Sequence, residues 1–89
     1  MISKLVSSSH HATLVAVFDD PPRASLPWRD VEALLVACGA ELSEGSGSRV
    51  RFALNGVRAV FHRPHPRKDI DKGALKSVRR FLIEAGIRP

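Results

Sequence analysis

The chain has 89 residues, 44% hydrophobic and 26% charged, which excludes a disordered or low-complexity protein and leaves room for one domain with a small core. Fourteen Lys and Arg against nine Asp and Glu give a net charge of +5 and a pI of about 10.4, the balance of a protein that meets polyanions. The lone Cys38 excludes an intrachain disulfide framework, and the absence of a ~20-residue apolar run or a secretory h-region points to a reducing cytoplasm and no membrane partner.

Residues 1–26 read as an N-terminal extension carrying one short helix. Ser8 or Ser9 caps that helix, Leu14, Val15, Val17 and Phe18 form its apolar stripe, and Asp19-Asp20-Pro21-Pro22 ends it, because a residue before proline resists helical dihedrals. His10 and His11 have no cysteine or carboxylate pattern beside them, so they read as surface histidines, and neither a metal nor a cofactor is expected. Residues 27–89 form the domain proper. Pro27 suits a first helical position, Asp30 complements the positive end of the helix dipole, and Trp28, Val31, Leu34, Leu35 and Cys38 recur at helical spacing. Gly39 ends this helix in a left-handed cap.

Ala40, Glu41, Leu42 and Ser43 begin a strand, and residues 44–48 form a flexible Gly/Ser link to a hairpin. Residues 48–54 and 57–62 alternate polar and apolar around Asn55-Gly56, the dipeptide best suited to a two-residue type I′ turn. That turn sets the register. Leu54 pairs with Val57, Phe52 with Ala59 and Val50 with Phe61 on an apolar face, leaving Arg58 beside Ala53, Arg51 beside Val60 and Arg49 across from His62 on the other. Beyond Pro64-His65-Pro66, Asp69 or Asp71 caps a last helix with Leu75, Val78, Leu82 and Ala85 on its apolar stripe, and Gly86 stops it. Lys76, Arg79 and Arg80 read as its wet face. The expected fold is α+β: a three-stranded antiparallel sheet with two main helices on one face, plus the helical extension.

The order helix, three strands, helix describes a double-stranded RNA-binding-like fold. Within it, Trp28-Arg-Asp-Val-Glu-Ala-Leu34, Gly39-Ala-Glu-Leu42, Gly47-Ser48 leading into a strand, His65-Pro66-Arg-Lys-Asp69 and the Ala74-Leu-Lys-Ser-Val78 helix ending Glu84-Ala-Gly86 resemble the HicA toxins over residues 27–86. The resemblance implies a toxin of a type II toxin–antitoxin pair that cleaves messenger RNA without a metal or the ribosome, held inactive by an acidic HicB-like antitoxin covering its active surface. One departure bears on the chemistry. The family keeps a catalytic histidine just after the Gly-Ser pair at the start of the second strand, where this chain has Ser48 or Val50.

His62 is the leading replacement. Metal-free RNA cleavage needs a base for the ribose 2′-hydroxyl proton and an acid for the leaving oxygen, and imidazole titrates in the range that suits both. Arg49, Arg51 and Arg58 are positioned to hold phosphate, and Arg63, His65, Arg67 and Lys68 extend the basic surface toward the last helix. His65, fixed between two prolines, reads equally as part of a rigid elbow. Ser48 has no neighbouring histidine in sequence and no strained nucleophile elbow; it enters the site only through the position it occupies. Trp28 and Phe81 stand at core positions rather than on a base-stacking platform. Three functions stay open: an RNA-cleaving toxin using His62, an inactive module of the same fold that binds RNA or the antitoxin, or a protein-interaction domain whose basic charge serves only a protein partner.

Overall fold

The computed structural model describes residues 7–21, 26–65 and 67–89. The N-terminal helix α1 (Ser8–Val17) starts at Ser7, whose extended backbone lets its hydroxyl accept from the His10 amide at 3.3 Å. Ser8 and Ser9, the caps expected from sequence, are already helical and so lack the dihedrals a cap requires. Leu14, Ala16 and Val17 are buried, whereas Val15, a third of a turn away from Leu14, is 42% exposed. The extension therefore shares one core with the rest of the chain. Arg79, read from sequence as solvated, instead donates from Nε to the Val17 carbonyl at 3.1 Å and from its terminal nitrogen to the Asp19 carbonyl. Those carbonyls end a helix and lack intrahelical donors, so the arginine answers a need that no local pattern reveals.

A short strand, β1 (Leu26–Pro27), leads into α2 (Trp28–Ala37). Pro27 is extended at ψ 134° and stands at the N-cap rather than inside the first turn, because it pairs with Asp69 of the equally short β5 (Asp69–Ile70). The Trp28 amide donates to the Lys68 carbonyl at 2.8 Å, extending this link between the entrances of two helices. Trp28, Val31, Leu34 and Leu35 are buried. Cys38 is half-buried, and burial pushes its thiol pKa up, as for a small packed hydrophobe.

The main sheet runs β2 (Glu41–Glu44), β3 (Arg49–Leu54), β4 (Val57–His62), antiparallel throughout. The hairpin register agrees with the sequence expectation pair by pair, from Leu54↔Val57 to Arg49↔His62. Asn55 and Gly56 have φ of 51° and 82°, as a type I′ turn demands, and Asn55 Nδ2 also donates to the Ala85 carbonyl at 2.8 Å, tying the turn to the end of the last helix. Residues 45–48 close a second tight turn rather than a loose link: Gly45 N–H donates to the Arg49 carbonyl at 3.0 Å and Arg49 N–H to Ser46 at 3.2 Å.

Helix α3 (Lys72–Glu84) buries Leu75, Val78, Phe81 and Leu82. Asp71 rather than Asp69 caps it, its Oδ1 accepting from the Ala74 amide at 2.7 Å. Asp71→Ala is expected to lower stability by about 1 kcal/mol in urea unfolding, with Asp69→Ala costing less because its side chain caps nothing. The inner face of the sheet and the two helices meet in an aromatic cluster: Phe61 lies 6.0 Å from Trp28, 5.9 Å from Phe52 and 6.0 Å from Phe81, centroid to centroid. Trp28 and Phe81 are thus packed inside, as their helical spacing implied.

Candidate nucleic-acid interface

Two turns and one register build the candidate site. The 45–48 turn delivers Ser48 to the start of β3, the Asn55-Gly56 turn folds β4 back along it, and His62 arrives as the last residue of β4 beside that start. Ser48 Oγ and His62 Nδ1 lie 3.3 Å apart. Sequence separation hid this pair: 14 positions divide the residues, and only the hairpin brings them together. With Nδ1 engaged by the hydroxyl and the ring exposed, Nε2 is the nitrogen available to a ligand.

Alternation places Arg49, Arg51, Arg58 and His62 on the sheet face that turns away from the helices, and all four are exposed. Arg49 and Arg58 have no ion-pair partner among the described residues; Arg51 donates from its guanidinium to the Glu44 carbonyl at 3.4 Å. A shallow concavity on this face is lined by Glu41, Ser43, Arg51, Arg58 and Val60, the last 52% exposed. His65, Arg67 and Lys68 are also exposed but lie on the segment leading to β5, with no hydrogen bond to the Ser48–His62 pair.

Arg63 is placed differently from the other arginines. Phe61 points inward and His62 outward, so Arg63 returns to the helix side of the sheet. There Nε donates to Glu32 Oε1 at 3.0 Å, while its terminal nitrogens donate to Glu44 Oε1 at 2.6 Å and Oε2 at 3.0 Å, a two-pronged grip. Glu32 Oε1 accepts a further bond from the Trp28 indole at 2.8 Å. The hydrogen bonds from Arg63, aided by charge attraction, hold the Glu44 carboxyl below its ordinary value, and the same partners push the guanidinium pKa up. Glu44 thus favours the folded state above the usual carboxylate range, and that contribution fades as pH falls through its depressed value. Sequence reading did not single out Glu32 and Glu44; the inward parity of Arg63, read from the register, was the available signal.

A small α+β domain of double-stranded RNA-binding-like architecture, with a basic open sheet face and an imidazole at one end of its central hairpin, defines the class of protein. Comparison with known families makes it specific: the family model described as HicA toxin of bacterial toxin-antitoxin matches residues 28–87, and the chain belongs to that family. Searches of curated proteins and of solved structures returned no match. As a HicA toxin it pairs with an antitoxin. Among the described residues no helix is long and apolar enough to cross a membrane, and none forms a cluster of three His, Cys, Asp or Glu suited to a metal.

Proposed function

We propose that this toxin binds RNA on the open sheet face and cleaves it with His62 as the acid/base group. The observation that carries the reading is the 3.3 Å approach of His62 Nδ1 to Ser48 Oγ, at the strand start where the family resemblance places a histidine. An imidazole reaching that place from the neighbouring strand supplies the chemistry that Ser48 itself lacks. Nε2 takes the ribose 2′-hydroxyl proton, the freed oxygen forms a bond to phosphorus, and the bond from phosphorus to the 5′ oxygen breaks. The departing oxygen takes up a proton from the imidazolium or from water, leaving a 2′,3′-cyclic phosphate and a 5′-hydroxyl. Arg49 and Arg51 neutralise charge that builds on the phosphate. The acidic antitoxin complements the same basic face, and the cytoplasm is the compartment in which it would meet messenger RNA.

The test is cleavage of RNA by the purified protein beside its His62→Ala variant, prepared identically so that contaminating nuclease appears in both. Loss confined to the variant supports the enzyme. No cleavage by either, with tight binding of an acidic antitoxin, supports the inactive module of the same fold. Binding has its own signature: replacing Arg49 and Arg51 together by alanine is expected to weaken RNA affinity and lower the salt slope by about one unit per lost phosphate contact. Unchanged binding in a filter or fluorescence titration would move the RNA surface elsewhere.

A further inference from the structure

The group formed by Arg63, Glu32 and Glu44 sits directly behind the Ser48–His62 pair, and its connections run to every element around that pair. Arg63 follows His62 in the chain, and its backbone amide donates to the Ser48 carbonyl at 2.9 Å. Its side chain reaches α2 through Glu32 and β2 through Glu44, while Glu32 is itself held by the Trp28 indole. One residue therefore ties the ends of three strands and a helix together at the point where the imidazole is presented.

Such a tie has a physical purpose there. β4 is an edge strand and His62 its last residue, so the Arg49↔His62 pair would otherwise be free to fray. A solvent-exposed ion pair adds little on its own, but a forked arginine shared between two carboxylates fixes geometry as well as charge. Lysine, with a single ammonium, cannot address both acids from a planar fork. Because two carboxylates occupy its guanidinium, Arg63 also leaves phosphate to the arginines of the outer face.

We propose that Arg63, clamped between Glu32 and Glu44, is a positioning residue that holds the Ser48–His62 pair in register for catalysis. The proposal rests on the assignment of His62, and its test is built to separate the two. In RNA-free protein, the ring nitrogens of His62 are followed by NMR in the wild type, Arg63→Gln, Arg63→Lys and Glu44→Gln. The wild type is expected to show a ring held in one orientation beside Ser48. Arg63→Gln is expected to give averaged ring signals, with cleavage slowed on the order of 10²-fold in kcat and KM little changed, since misplacement of a reacting group costs that much. Arg63→Lys should recover part of both. Unchanged Trp28 emission and unchanged amide signals of Val50 and Phe52 establish that each variant is folded; should Arg63→Gln not fold, Glu44→Gln, which loosens only the exposed arm, takes its place. His62 signals and kcat identical to wild type in the folded variant would overturn the proposal, even if His62→Ala abolishes cleavage. Cleavage persisting in His62→Ala would instead sink the assignment of His62, and the ring signals, which need no RNA, would still decide whether Arg63 holds the pair.

Discussion

Phe52→Ala is expected to lower the free energy of unfolding by roughly 3–5 kcal/mol in a denaturant titration, the range for truncating a fully buried aromatic. Phe52 is 1% exposed at the middle of β3, with Phe61 at 5.9 Å and Trp28 at 6.4 Å between ring centroids. Its removal opens a cavity where strands and α2 meet, and few groups nearby can collapse into it because the surrounding residues are themselves interlocked rings. A small domain has only roughly 5–15 kcal/mol to lose, so the variant should be largely unfolded at modest temperature. Val60→Ala, on the open face of the neighbouring strand, should change stability by about 0.5 kcal/mol or less. Equal costs at the two positions would contradict the register on which every surface assignment depends.

His62→Ala is expected to slow RNA cleavage by about 10²–10⁴, the usual contribution of a positioned general acid or base. Its fold should survive, since His62 is exposed on the sheet face turned away from the helices. Ser48→Ala removes a hydroxyl from Nδ1 but leaves the imidazole, so most of the rate should remain. A serine acting as nucleophile would abolish that ranking, with Ser48→Ala as damaging as His62→Ala. Measuring both rates under identical conditions distinguishes the two outcomes.

Much of the candidate surface was legible because a two-residue turn leaves no freedom in the strands it joins. Asn55-Gly56 sets the partner of each residue from Arg49 to His62, and alternation then sorts arginines outward and aromatics inward. The Ser48–His62 contact escaped the same reasoning, since Ser48 lies one residue beyond the last pair, in a stretch whose Gly and Ser content suggested slack. Its tight closure depends on backbone hydrogen bonds between Gly45, Ser46 and Arg49 that no side-chain pattern announces. That Arg63 meets Glu32 and Glu44 on the helix side was not legible, because charge composition does not say which side of a sheet a residue meets.

Local rules in the sequence determined the order of the elements, the inward faces of α2 and α3, the left-handed stop at Gly39 and the hairpin register, since each depends on dihedrals or periodicity within a few residues. Tertiary structure alone decided that Leu26 and Pro27 pair with Ile70 and Asp69, and that Arg79 answers the end of α1. It alone decided, too, that Arg63 grips Glu32 and Glu44 while His62 meets Ser48. These are contacts between segments distant in the chain, chosen by which unsatisfied carbonyls, carboxylates and apolar faces come within reach once the elements have packed.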